Sequence, residues 1–135
     1  MPENLWGELP LSTPIRTPTV ILQEQANTLT ELTKGTLVGR VNQGSSGLNF
    51  VSNLIIVAPA LNNYSYSVLT IQHQITLYPL ILTDNTTSST YNPANEDQFV
   101  IQLRRIPSSD TVKRAILGLV SQIRVNADQE QTRTS

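Results

Sequence analysis

The sequence predicts a single α+β domain. It has an antiparallel sheet of three to four strands, an N-terminal helix and two C-terminal helices. Three observations carry this prediction. The only long stretch dense in β-branched and aromatic residues is the middle, Leu48 to Thr83. Within it, apolar and polar residues alternate from Ser67 to Tyr78, the period of a strand. Segments of helical period flank the middle at Thr19–Lys34 and Ser108–Val125. At 135 residues the chain is one domain's worth, long enough for a core.

Residues 1–18 hold Pro2, Pro10, Pro14 and Pro18, and each removes a hydrogen-bond donor and fixes its own backbone. They read as an extended arm. Leu5, Trp6, Leu9, Leu11 and Ile15 make the arm apolar enough to pack on its own domain or on a second subunit. Thr19–Lys34 follows as a helix. Thr17 is placed to cap it and Pro18 suits its first position. Leu22, Ala26, Leu29 and Thr33 share one face, flanked by Ile21 and Leu32, and Gly35 ends the helix.

Thr36–Gln43 reads as the first strand and Gln43–Gly47 as a turn. The second strand, Leu48–Ala58, is apolar on both faces in its last half, Leu54-Ile55-Ile56-Val57. A half-exposed antiparallel strand alternates, so this one is expected at the centre of the sheet. Helices would cover one face and the arm or another subunit the other. In the next stretch Leu69, Ile71, His73, Ile75 and Leu77 share one face, opposite Thr70, Gln72, Gln74 and Thr76. The unbroken alternation favours one long bent strand to about Thr83, kinked near Pro79. The alternative is a turn at Gln72–Gln74 and two shorter strands. The first and last helices are expected to cover the His73 face.

Asp84–Asn92 is polar and reads as a mobile loop. Asn92 would cap a short helix with Pro93 at its first position and Glu96 and Asp97 in its first turn. Phe99, Val100 and Leu103 form its inner side. After Pro107, the stripe Val112, Ala115, Ile116, Leu119, Val120 and Ile123 defines the last helix. Residues 126–135 have almost no apolar content and read as a disordered tail. The domain itself is expected over residues 19–125.

Composition limits the chemistry. There is no cysteine, which excludes disulfides, thiolate catalysis and cysteine-ligated metal. The single histidine, His73, leaves most nucleophile–base pairs unassembled. No serine elbow, phosphate-binding loop, dinucleotide glycine pattern or EF-hand is present. Metal sites need three or four converging ligands, and none is spaced near His73. Neither a catalytic residue, a metal site nor a cofactor is expected. The net charge of -1 gives no global field toward nucleic acid or an anionic membrane. The apolar run Leu54–Leu61 is less than half the roughly twenty residues that a span requires. The N-terminus lacks the basic start and apolar run of a secretory signal. These features point to a soluble, cytoplasmic protein.

The candidate binding residues are His73, Tyr64, Tyr66, Arg104, Arg105 and Trp6. His73 lies midway along an apolar strand face, where a core imidazole is the plainer reading. Tyr64 and Tyr66 share a face one pleat apart and offer a large ring with a polar tip. Arg104 and Arg105 begin a local basic stretch and suit bidentate capture of a carboxylate or phosphate. The leading expectation is a non-enzymatic protein-interaction module, an adaptor, chaperone-like or inhibitor subunit that self-associates or joins a complex. The rival is a small enzyme or ligand-binding domain with His73, tyrosines and Arg104 or Arg105 around a pocket. The third and weakest is nucleic-acid binding through Lys113, Arg114 and Arg124, which lack stacking aromatics on the same face.

Overall fold

The computed structural model describes residues 5, 7 and 16–133, with side chains of the last helix described through residue 127. The arm lies largely outside these residues, and Trp6 wholly so. Helix α1 (Pro18–Leu32) leads into strands β1 (Val38–Ser46) and β2 (Asn49–Ala58). A short 3₁₀ turn, Pro59–Leu61, leads to β3 (Tyr64–His73). Strands β4 (Ile81–Asp84) and β5 (Ser89–Tyr91) and helices α2 (Glu96–Arg105) and α3 (Asp110–Arg133) complete the chain. The fold is α+β, with one N-terminal and two C-terminal helices on an antiparallel sheet.

The sheet has five strands in the order β1-β2-β3-β4-β5, which corrects the expected three to four. Each strand pairs with the next, so the sheet is a meander. The first extra strand comes from residues 64–83, which form two strands rather than one bent strand. Residues 74–80 turn the chain, with Leu77 at φ 76° and a cis peptide at Tyr78-Pro79. The second comes from the stretch expected as a polar loop, which is a hairpin. Asp84 organises its turn: Oδ1 accepts from the Thr86 N–H at 2.9 Å, and its carbonyl accepts from the Ser88 N–H at 2.7 Å. A buried aspartate that satisfies the turn from within removes the need for apolar residues there.

Helix α1 begins as its sequence requires. Thr17 Oγ1 accepts from the Val20 N–H at 3.2 Å, and Pro18 occupies the first turn. Its buried face is Ile21, Leu22 and Ala26. The helix lies across β1 and β2. Thr19 and Ser52 hydroxyls meet at 2.9 Å near its start, and Ala26 sits directly on Gly39 further along. Near its end, Thr30 Oγ1 accepts from the Gly39 N–H at 3.0 Å and Thr33 Oγ1 from the Leu37 N–H at 3.1 Å. Two helix hydroxyls thus satisfy the outer edge of the sheet where β1 begins.

Strand β2 is central, between β1 and β3. Leu54, Ile56 and Ala58 face the helices and belong to the core, while Ile55 and Val57 alternate to the opposite face and are also buried. A bulge opposite Leu54/Ile55 leaves Val68 without a partner in the ladder. Both Val68 and Leu69 enter the core as a result. Ile71 and His73 continue that face, so the helices cover the face of His73. Helix α2 contributes Phe99 and Leu103, and α3 contributes Val112, while Ile116, Leu119, Val120 and Ile123 are partly buried and pack against the core.

Both later helices differ from expectation at their ends. Asn95, not Asn92, caps α2, with Oδ1 accepting from the Gln98 N–H at 2.9 Å. Pro93 lies outside the helix, and its carbonyl accepts from the Leu80 N–H. Helix α3 continues to Arg133, past Val125, where the apolar stripe stops. The sequence there has no glycine or proline to end it.

Candidate functional site

One end of the sheet gathers the features that a site needs. The β1–β2 hairpin closes with Ser46 paired to Asn49 and with Gly47 and Leu48 between them. Gly47 has φ 61°, as the first position of a tight hairpin turn requires. The geometry projects Leu48 from the tip, where it is 86% exposed. Phe50 follows on β2 and pairs with His73 at the end of β3. Their rings stack at 5.7 Å between centroids, 29° apart. Residues 74–80 then bring Ile75 to the same end, 76% exposed. Ile75 was expected on the core face. The turn after His73 breaks the alternation and carries it outward.

Two adjoining depressions mark this end. One, of about 490 Å³, is lined by His73 with Asn49, Gln72, Gln74, Thr76, Pro79, Leu80, Ile81 and Asn92. The other, of about 340 Å³, is lined by Leu48, Phe50 and Ile75 with Ser45, Gly47, Asn49 and Gln74. They share Asn49 and Gln74, so they form one surface. No residue lining either one carries a carboxylate, ammonium or guanidinium group.

His73 is buried, and its Nδ1 lies 2.7 Å from the Gln74 carbonyl oxygen. A carbonyl only accepts, so Nδ1 carries the proton and donates it. In the neutral ring this leaves Nε2 as an acceptor, enclosed and without a partner. The other candidates lie elsewhere. Tyr64 is exposed and Tyr66 is half-buried against the core, both at the opposite end of β3. At roughly 3.3 Å per residue they are about 23–30 Å from His73 along the strand. Arg104 and Arg105 are exposed at the end of α2. Arg104 lines a separate depression with Arg16 and Leu103. The structure therefore does not bring His73, a tyrosine and an arginine into one pocket.

Among the described residues no group of His, Asp and Glu is placed to hold a metal ion. Nor, among them, is any helix long and apolar enough to cross a membrane. The chain matches no protein-family model, and no curated protein or solved structure is similar to it.

A second polar cluster, missed in the sequence, lies where the 74–80 turn meets α2. Tyr78 packs its ring on Phe99, with centroids 6.4 Å apart. Its hydroxyl and Glu96 Oε1 are both enclosed without a hydrogen-bond partner. Arg16 Nη1 is 3.7 Å from that oxygen, near enough to attract it but too far for a hydrogen bond. Arg16 Nη2 instead bonds Glu24 at 2.6 Å. Burial, then the Glu96 carboxylate, holds the Tyr78 phenol above its ordinary value, and Arg16 pulls the other way.

Tyr78→Phe removes a hydroxyl that earns no hydrogen bond. It is expected to leave stability at neutral pH unchanged or raised by about 1 kcal/mol. It should also change the alkaline limb. Above the unfolded phenol value of 10.0, the native state keeps a proton that the unfolded chain has released. Stability therefore falls as pH rises from there through the higher native value. Urea midpoints at pH 8 and pH 10.5 measure both effects, and the Phe variant should show the smaller alkaline loss. A Phe variant less stable by more than about 1 kcal/mol at pH 8 would mean that the hydroxyl has a partner after all.

Proposed function

We propose that this chain is a non-enzymatic protein-interaction module of the cytoplasm: an adaptor, chaperone-like or inhibitor subunit that self-associates or joins a complex. One observation carries the reading. Leu48 and Ile75, two large aliphatic side chains, stand almost fully in water on one surface, with Phe50 and Ile81 each 43% exposed beside them. Single exposed apolar residues are ordinary, but a cluster rimmed by polar groups marks a surface that is covered in use. Here the rim is Ser45, Asn49, Gln72, Gln74 and Asn92. Its uncharged groups hydrogen-bond a partner without the desolvation cost of ions.

The test is light scattering over a concentration series, together with a tagged pull-down from the native host. Wild type is expected to exceed the 14.9 kDa of one chain or to hold one stoichiometric partner. The double variant Leu48→Asp, Ile75→Asp should weaken that association about 100-fold, from the lost burial of two side chains. Both positions are exposed, so folding should be unaffected. A wild-type chain that stays at 14.9 kDa and shares its captured proteins with the variant would refute the reading.

A further inference from the structure

Strand β1 forms one edge of the sheet, and most of that edge is open. The Gly39 N–H donates to Thr30 Oγ1 of α1, away from β2. Backbone groups point alternately to the two sides of a strand, so those of Val41, Gln43 and Ser45 also point outward. The closing pair of the hairpin, Ser46 with Asn49, sets the same alternation from the other end. Among the described residues, none bonds the outward groups of these three. Helix α1 does not shield them. It crosses from Ser52, which pairs with Gln43, to Gly39, so its start lies over β2 and inside the edge. Natural sheets blunt a long edge with charge, proline or a bulge. From Val41 to Ser46 there is no charged residue and no proline, and β1 pairs with β2 without a register shift. The opposite edge, β5, is only three residues long.

A row of outward donors and acceptors is completed by another strand. We propose that β1 pairs antiparallel with β1 of a second copy of this chain, about a two-fold axis through Gln43, making one continuous sheet. The fold itself selects this register. An axis between two residues would set an outward residue against an inward one. An axis through Val41 would set Gly39 against the partner's Gln43, where Thr30 already holds the Gly39 N–H. An axis through Ser45 would run Gln43 into the partner's Gly47, in the turn. Through Gln43, every outward residue meets an outward residue: Val41 the partner's Ser45, Gln43 the partner's Gln43, Ser45 the partner's Val41. These bonded pairs supply about six hydrogen bonds. Arg40 faces the partner's Ser46, so no charge meets its like. Leu48, 86% exposed at the hairpin tip, comes level with the partner's Val38. A self-complementary strand is what a two-fold dimer requires. The inference rests on the protein-interaction reading and names its partner as a second copy.

The test uses the full chain, with dimerisation read by analytical ultracentrifugation and amide exchange by NMR. Exchange at the Val41, Gln43 and Ser45 N–H groups should slow as protein concentration rises. Gln43→Lys and Gln43→Glu, at an exposed position, should each weaken dimerisation about 5-fold, because like charges then stand opposite across the axis. Mixed in equal amounts, the two variants should dimerise at least as tightly as wild type. Gln43→Pro should weaken dimerisation about 30-fold by removing one N–H from each copy. A thermal melt checks that this variant is folded, and the Lys and Glu pair tests the same contact without altering the backbone. A mixture that dimerises no more tightly than either variant alone overturns the proposal, as do exchange rates at the three amides that ignore concentration. Association that Leu48→Asp, Ile75→Asp abolishes but the Gln43 variants leave intact overturns it while the protein-interaction reading stands. Protection of the three amides only by a captured protein assigns the edge to another partner's strand, and also overturns it. A chain that stays monomeric and captures nothing overturns both.

Discussion

Gly39→Ala should destabilise the protein by about 3 kcal/mol or more, at or beyond the top of the usual cost of overpacking. A methyl carbon built on Gly39 would stand 2.3 Å from the Ala26 carbonyl oxygen, 2.6 Å from its Cα and 2.7 Å from its carbonyl carbon. All three atoms are main chain of α1, so no rotamer change relieves the contact. The helix must move away from the sheet. That movement stretches the chain of bonds in which Thr30 Oγ1 donates to the Ala26 carbonyl and accepts from the Gly39 N–H. It also loosens the Thr33 hydroxyl from Leu37 and opens the contacts of Leu22 and Ala26 with the core.

The Gly39 backbone does not require glycine's conformational freedom, so the penalty is purely one of space. Two comparisons separate this from other causes. Ala26→Gly in the same chain should not rescue Gly39→Ala, because the obstructing atoms remain. Gly118→Ala, in α3 with nothing within 4 Å of the added carbon, should stabilise by about 0.5–1 kcal/mol through helix propensity. Thermal melts would register the first as a fall of roughly 10 °C or more and the second as a small rise. A Gly39→Ala variant as stable as wild type would mean that α1 does not lie on β1 at this point.

The parts of the fold that were legible in the sequence are those where one local signal had no competitor. Helix α1 carries its cap, its proline and its apolar face together, and Thr17, Pro18 and Ala26 stand where those rules place them. Strand β2 reads correctly because Leu54–Val57 is too apolar for any place but the centre. The break after His73 was hidden because the alternation runs on through Ile75 and Leu77 with no glycine. The turn instead uses Leu77 itself at positive φ, an uncommon conformation for a bulky residue that no local rule anticipates. Strand β5 is only Ser89–Tyr91, and its evidence is a ladder to β4 that exists only once Asp84 has closed the turn. Asn92 and Asn95 both suit a helix cap; Asn95 takes that place, and the Pro93 carbonyl before it accepts from the Leu80 N–H.

For the candidate site, His73 was visible because it is unique, but its neighbours were not. Leu48 and Ile75 are informative only because they are exposed, and exposure belongs to the assembled fold. Tyr64 and Tyr66 share a strand with His73, and that sharing separates them. A residue's place along a strand sets its company as firmly as the face it occupies.

Phe99→Ala should remove about 3–5 kcal/mol, the range for deleting a fully buried aromatic ring. Phe99 has no exposed surface, and its ring is tilted 58° against Tyr78. The pair contributes about 1 kcal/mol of the loss, and the cavity and lost burial the remainder. Helix α2 depends on this side chain more than its neighbours do on theirs. It has ten residues, below the length at which a helix holds itself together, and its buried residues are Phe99 and Leu103. The loss should therefore be partly local. Amide exchange in α2 should quicken more than in α1, whose Ile21, Leu22 and Ala26 are untouched. Phe99→Leu keeps most of the volume and should cost less than about 1.5 kcal/mol. Urea titration of the two variants, with exchange read by mass spectrometry, tests both claims. If Phe99→Ala costs no more than Phe99→Leu, the ring is not a core element and α2 is held to the sheet by something other than its buried face.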